Sequence, residues 1–179
     1  MTRSLASALL TVLTLCACSR PPAEPGVAAT DVAPSMELPA APTVEALTAQ
    51  VREVYRQPQA AAIEALMHPA TRACLADQPR YRAYLLRMEA AAPLPADTIG
   101  RIETIDQEAP LPFRGFEFPL RPTHLLRFEL AGQASADGRG SVSQVVEKHA
   151  VASDGRWQLL FPCPLPEGLQ RLREFGLLD

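Results

Sequence analysis

Lysine is almost missing from this chain. Lys148 is the only one in 179 residues, and the other sixteen of the seventeen basic side chains are arginines. Against twenty acidic residues they leave a formal charge of −3, which argues against nucleic acid as a partner. Histidine is scarce as well. His68, His124 and His149 stand alone, without the spacing of a metal-ligand set, so no metal is expected. No stretch matches GxSxG, HExxH, a P-loop or GxGxxG, so no strained nucleophile turn, zinc helix or phosphate cradle is recognisable, and no cofactor is implied. Long apolar runs are lacking too. Leu5 to Leu15 is the most apolar stretch, and it is shorter than the roughly 20 residues needed to span a bilayer core.

That short run has company. Arg3 precedes it and small residues follow, the three parts of a secretory signal. Two cysteines lie at its end. Leu13-Thr14-Leu15 before Cys16 puts a bulky leucine where a small residue is needed, whereas Leu15-Cys16-Ala17 before Cys18 reads Leu-small-small-Cys. The second resembles the lipobox of bacterial lipoproteins, a resemblance covering about the first 20 residues. It implies a signal peptide over 1–17, a diacylglycerol thioether on Cys18 and usually a third chain, such as palmitate, on its amine. More than one chain makes such an anchor stable. Ser19, rather than Asp, after the modified cysteine implies the outer membrane of a Gram-negative cell, facing the periplasm. The membrane is thus an expected partner through the lipid on Cys18. Without 1–17 the chain keeps sixteen basic and twenty acidic side chains, 16 − 20 = −4, and no nucleic-acid partner is expected.

Residues 18–42 comprise the lipidated cysteine and a Pro/Ala-rich stretch without hydrophobic period, expected to be a disordered tether. In polyproline geometry it would reach at most about 75 Å. Residues 43–179 suit one domain. Only Cys74 and Cys163 remain there, and in an oxidising periplasm two lone cysteines most simply pair. Neither has the surroundings of a redox or metal site.

Periodicity divides the domain in two. Thr43 is a candidate N-cap, and Val44, Leu47, Val51 and Val54 recur at helical spacing to about Gln57. Pro58 opens a second helix that His68-Pro69 ends, Ala70 to Leu75 forms a short helical turn, and Pro79 starts a helix with Tyr81, Leu85 and Met88 as its stripe. Alternation then takes over. Strands are expected over Ile99–Asp106, Thr123–Leu130 and Ser141–Ala152, then from Trp157 to Phe161 after an Asp154-Gly155 turn. The proline-rich 107–122 is strand at most in part, 132–140 is a turn, Pro164 and Pro166 break the sheet, and Glu167–Phe175 closes as a short C-terminal helix. N-terminal helices followed by an antiparallel meander give an α+β fold, helices packed on a curved sheet around a cone-like hollow. The helices, the long hairpin and Asp154-Gly155-Arg156-Trp157 resemble the NTF2-like superfamily over about 43–163; a cystatin-like cone or an unrelated α+β sandwich are the alternatives.

Candidate sites follow from that expectation. His124 shares a strand face with Leu126 and Phe128 and would point into the hollow. With Tyr55, Tyr84 or Glu103 it would make the acid–base pair that resemblance to NTF2-like enzymes implies, although a hydrogen-bonded core or rim histidine fits as well. His68 reads as a helix-end residue, and His149 as lying beside Lys148 on an edge or outer face. Arg80, Arg82 and Arg87 with Tyr84 form a basic strip that is either a solvated helix face or a surface suited to anionic glycans, lipid head groups or an acidic partner. Some of Phe113, Phe116 and Phe118 in the proline-rich stretch must pack on the sheet, and any left exposed are candidate anchors for another protein. With no catalytic constellation in the chain, the leading expectation is a non-enzymatic binding lipoprotein that docks an envelope protein or holds a small apolar ligand. The alternatives are an immunity-type lipoprotein neutralising a periplasmic toxin and an NTF2-like enzyme using His124.

Overall fold

The first helix shows how local chemistry builds this domain. The Thr43 hydroxyl accepts from the Ala46 amide at 3.2 Å, capping α1 (Val44–Arg56), whose buried residues Val44, Leu47, Val51 and Tyr55 repeat at three- and four-residue intervals. A computed structural model describes residues 38–106, 114–134 and 141–178. The lipobox with Cys18, the tether through residue 37 and Phe113 lie outside them. Residues 38–41 do not belong to a tether. Ala41 is buried and accepts from the Trp157 amide at 2.8 Å, so the packed chain begins before Thr43.

Three more helices follow, α2 (Ala60–Leu66), α3 (Pro69–Ala76) and α4 (Pro79–Ala90). His68-Pro69 ends one helix and starts the next, because Pro69 occupies the first position of α3 and the His68 ring accepts from the Ala70 amide. On α4 the buried stripe is Tyr81, Leu85 and Leu86; Met88, expected to complete it, is 50% exposed.

The main sheet is antiparallel in the order β1 (Ile99–Thr104), β3 (His124–Ala134), β4 (Ser141–Ser153), β5 (Arg156–Leu160). β1 stops short of Asp106, and β3 runs past Leu130 across an irregularity in register between Leu130 and Gln133, taking up part of the expected turn. Asp154 and Gly155 both have positive φ, 52° and 70°, the conformation of a two-residue hairpin whose twist matches its strands. The outer edge of β5 is covered piecemeal: Ala41 bonds to Trp157, and Met67 and His68 reach Leu159.

The two faces of the sheet differ as the alternation requires. Leu126, Phe128, Ala150 and Leu159 are buried on one face, together with Leu47, Val51, Tyr55, Ile63 and Leu66 of the helices. The opposite face carries a cross-strand ladder in which Arg127 pairs with Glu103 and Glu147 at 3.1 and 2.8 Å, and Arg101 with Glu129 at 3.1 Å.

A second, two-stranded sheet pairs β2 (Phe116–Glu117) with β6 (Cys163–Pro164). Pro164, expected to interrupt pairing, sits within it, as a proline can in so short an edge strand. Cys163 is disulfide-bonded to Cys74 of α3 with Cα atoms 6.3 Å apart, which ties this ribbon to the helices. α5 (Pro166–Glu174) then packs so closely that a side chain at Gly168 would strike the Gly115 carbonyl. Among the described residues the fold is thus mixed α+β, with four helices before the sheet and one after.

Candidate functional site

Three polar side chains meet inside the domain. Lys148, only 8% exposed, donates to Glu89, 16% exposed, at the end of α4; the Tyr55 hydroxyl of α1 donates to the same carboxylate oxygen. The Lys148 ammonium also stands 4.7 Å from the Tyr55 ring centre and 5.8 Å from that of Phe161. Burial, then the Glu89 charge and its hydrogen bond, push the Tyr55 phenol far above its ordinary value, so it stays a donor. The expectation that Lys148 and His149 lie on an edge or outer face is corrected for the lysine. β4 is an inner strand, and Lys148, alternating with Val146 and Ala150, points under the helices. That alternation was the sequence signal for its burial. A tyrosine, a carboxylate and an amine are acid–base machinery in kind. Here Tyr55 is fully buried and none of the three lines the clefts described below, so the cluster clamps α1, α4 and β4.

The histidines serve separate structures. His124 lies on the inner face as expected but at its rim, edge-on to Trp157 with ring centres 4.7 Å apart and 3.0 Å from the Thr123 hydroxyl. Its expected partners are elsewhere. Glu103 binds Arg127 on the opposite face, Tyr55 belongs to the Lys148 cluster, and Tyr84 lies on α4. His149 faces outward against Phe118, ring centres 4.7 Å apart.

His68 is buried. Its Nδ1 accepts from the Ala70 amide at 3.0 Å, which leaves its proton on Nε2, an atom with no hydrogen-bond partner among the described residues. Burial holds the imidazole below its ordinary value; Arg72 adds to this and Asp154 opposes it. His149 is lowered too, by burial first and by Lys148, against Glu147. The unfolded chain therefore takes up protons near pH 6.5 that the folded chain refuses, and stability falls from about that pH towards the depressed folded values. Urea midpoints should decline between about pH 7 and pH 5. His68→Asn, which keeps an acceptor for Ala70, should flatten part of that slope. An unchanged slope would mean that His68 titrates freely in the fold.

The two described phenylalanines of the proline-rich stretch are packed. Phe116 stands 5.9 Å from the Tyr81 ring and joins the core, and Phe118 covers His149. They hold their segment to the domain rather than display it. The basic strip divides as well. Arg82 is taken by a two-pronged pair with Glu64 at 2.6 and 2.9 Å, whereas Arg80 and Arg87 are exposed and Arg87 lies 5.8 Å from the Tyr84 ring centre.

What the sequence reading missed is the surface beside that strip. α5 ends with Gly176 at φ 65°, Gly176 donating to Arg173 and Leu177 to Leu172, the pairing of a Schellman cap. The chain swings back and buries Leu178. Two grooves of about 240 Å³ flank that leucine and share it with Arg80: one adds Tyr84, Arg87 and Leu177, the other Tyr81, Leu169 and Arg173. Leu177, 40% exposed, lines the first of them, and Phe175, the residue before Gly176, is 75% exposed. Arg80, Arg87 and Arg173 have no ion-pair partner among the described residues.

A third cleft, of about 290 Å³, lies on the other side of the helices, between residues 38–41 and β5, with Arg72, Arg156 and Trp157 on its walls. Among the described residues no group of three or more His, Cys, Asp or Glu is placed to hold a metal ion, and no helix is long and apolar enough to cross a membrane. Comparison with protein-family models, characterised proteins and solved structures finds no match to this chain.

Proposed function

We propose that this chain is a lipoprotein, acylated at Cys18 and held on the periplasmic face of the outer membrane, whose domain docks an envelope protein without catalysis. The Leu-small-small-Cys sequence ending at Cys18 supports the anchor. Four helices before an antiparallel sheet, and Asp154-Gly155-Arg156-Trp157 leading its last strand, support an NTF2-like or cystatin-like cone.

The observation that carries the docking is the surface of α4 and the C-terminal segment. Exposed Leu177 shares a groove with Arg80 and Arg87, and Leu169 shares the neighbouring one with Arg80 and Arg173, three arginines that no acid of the described residues pairs with. Apolar side chains beside unpaired guanidiniums are complementary to an acidic, partly apolar peptide segment, the composition that dominates docking energetics. A photo-crosslinking residue placed at Tyr84 or Leu177 in cells should trap one discrete envelope protein. Arg80→Glu with Arg87→Glu should remove that product, a weakening of roughly tenfold or more. No product at these positions, with one formed from Val145 on the opposite sheet face, would place the docking surface elsewhere. Cys18→Ser should release the protein from the membrane fraction, a separate readout for the anchor.

A further inference from the structure

The cleft beside β5 takes no part in that docking surface. We propose that it binds a small organic carboxylate with a flat or branched apolar body. Leu47 and Leu66, both buried, lie at its floor, half-buried Trp157 forms part of its wall, and Gln50, Gln158 and two arginines make much of the exposed lining polar. Its charged rim is Arg72 of α3 and Arg156 of β5, both exposed and both without an ion-pair partner among the described residues. A volume of about 290 Å³ lies at the small end of ligand sites, which run from roughly 300 to 1,000 Å³. It suits a ligand of one ring or one short branched chain, and is too small for a dinucleotide or a glycan.

The cleft is also built before any ligand arrives. Its outer wall is held at two points, by the Trp157 amide on the Ala41 carbonyl and by the Gln50 amide on the Pro39 carbonyl, each at 2.8 Å. Trp157 is itself braced edge-on by His124. A preformed wall lowers the ordering cost of binding. An apolar body on Leu47, Leu66 and Trp157 leaves its carboxylate at the rim, where a planar guanidinium fork recognises it in a two-pronged, charge-assisted manner. A neutral ligand of the same body gains nothing from that rim.

Trp157 is the only tryptophan in the chain, so emission excited selectively in tryptophan, apart from the three tyrosines, reports from this cleft. Titrating the purified full chain with 3-phenylpropionate should give a saturable change in that emission. The alcohol 3-phenylpropan-1-ol, which keeps the body and lacks the charge, should bind at least about tenfold more weakly. Arg72→Gln and Arg156→Gln should each weaken the acid by about tenfold while leaving the alcohol and the melting curve where they were. Equilibrium dialysis of the same acid detects binding that leaves the emission unmoved. The proposal is overturned if acid and alcohol bind alike, if the arginine variants hold the acid as tightly as the parent, or if neither method finds binding at about 10 mM acid. None of these outcomes bears on crosslinking from Tyr84 or Leu177, so the two proposals stand or fall separately.

Discussion

Replacing Glu89 by leucine should cost the domain about 3–5 kcal/mol of stability, measured as a shift of the urea midpoint at unchanged slope. The substitution leaves the Lys148 ammonium under the helices with two aromatic faces and no counter-charge, and it takes the acceptor from the Tyr55 hydroxyl. A buried ion stripped of its partner is among the few changes that reach this size. The paired variant, Glu89→Leu with Lys148→Met, should recover most of the loss, because the desolvation of both charges then disappears together. Adding Tyr55→Phe should recover a further 1 kcal/mol or so by removing the orphaned hydroxyl. If Glu89→Leu alone costs less than about 1 kcal/mol, Lys148 finds water on its own and the cluster does not clamp α1, α4 and β4.

The second large effect belongs to the disulfide. Cys74 and Cys163 close a loop with a sequence separation of 89, for which the chain-entropy relation gives about 4–5 kcal/mol and practice about 2–5. The local structure argues for the upper part of that range. β2 and β6 have two residues each, too few to hold together unaided, and apart from the bond to α3 the ribbon depends on contacts such as Leu165 to the Gly115 carbonyl and Tyr81 to the Pro162 carbonyl. Cys74→Ala with Cys163→Ala should lower Tm by about 10 °C or more. A thiol reductant should do the same to the parent and nothing to the variant. A variant that melts within about 3 °C of the parent would show the ribbon to be held by packing alone.

How much of this was readable beforehand follows from sequence distance. The α1 helix was legible because its cap, stripe and first-turn acid all lie within thirteen residues, and the Asp154-Gly155 turn because the conformation it needs is written in two. The pairing of Cys74 with Cys163 was reachable by elimination, and their bond in the fold agrees with it. Lys148 was legible in part, its parity with Val146 and Ala150 marking an inward position. Its partner Glu89 lies 59 residues away, and only the packing of α4 over β4 brings them together. The proline-rich stretch was legible in part. That some of its phenylalanines pack was expected, but not which, and it is the pairing of β2 with β6 that directs Phe116 onto Tyr81. Neither the grooves around Leu178 nor the cleft beside β5 had any local signature, since each is assembled from elements remote in sequence.

The burial of the one lysine also decides what kind of cation the surface offers. Every positively charged side chain that solvent meets, histidine apart, is a guanidinium. Among the described residues such a surface has no side-chain amine to be acetylated, alkylated or coupled, and the guanidinium charge does not vary across the ordinary pH range. Whatever approaches it meets flat, weakly hydrated forks rather than mobile point charges. Discrimination among anions should accordingly follow their shape, carboxylate and phosphate before halide, more than their charge alone.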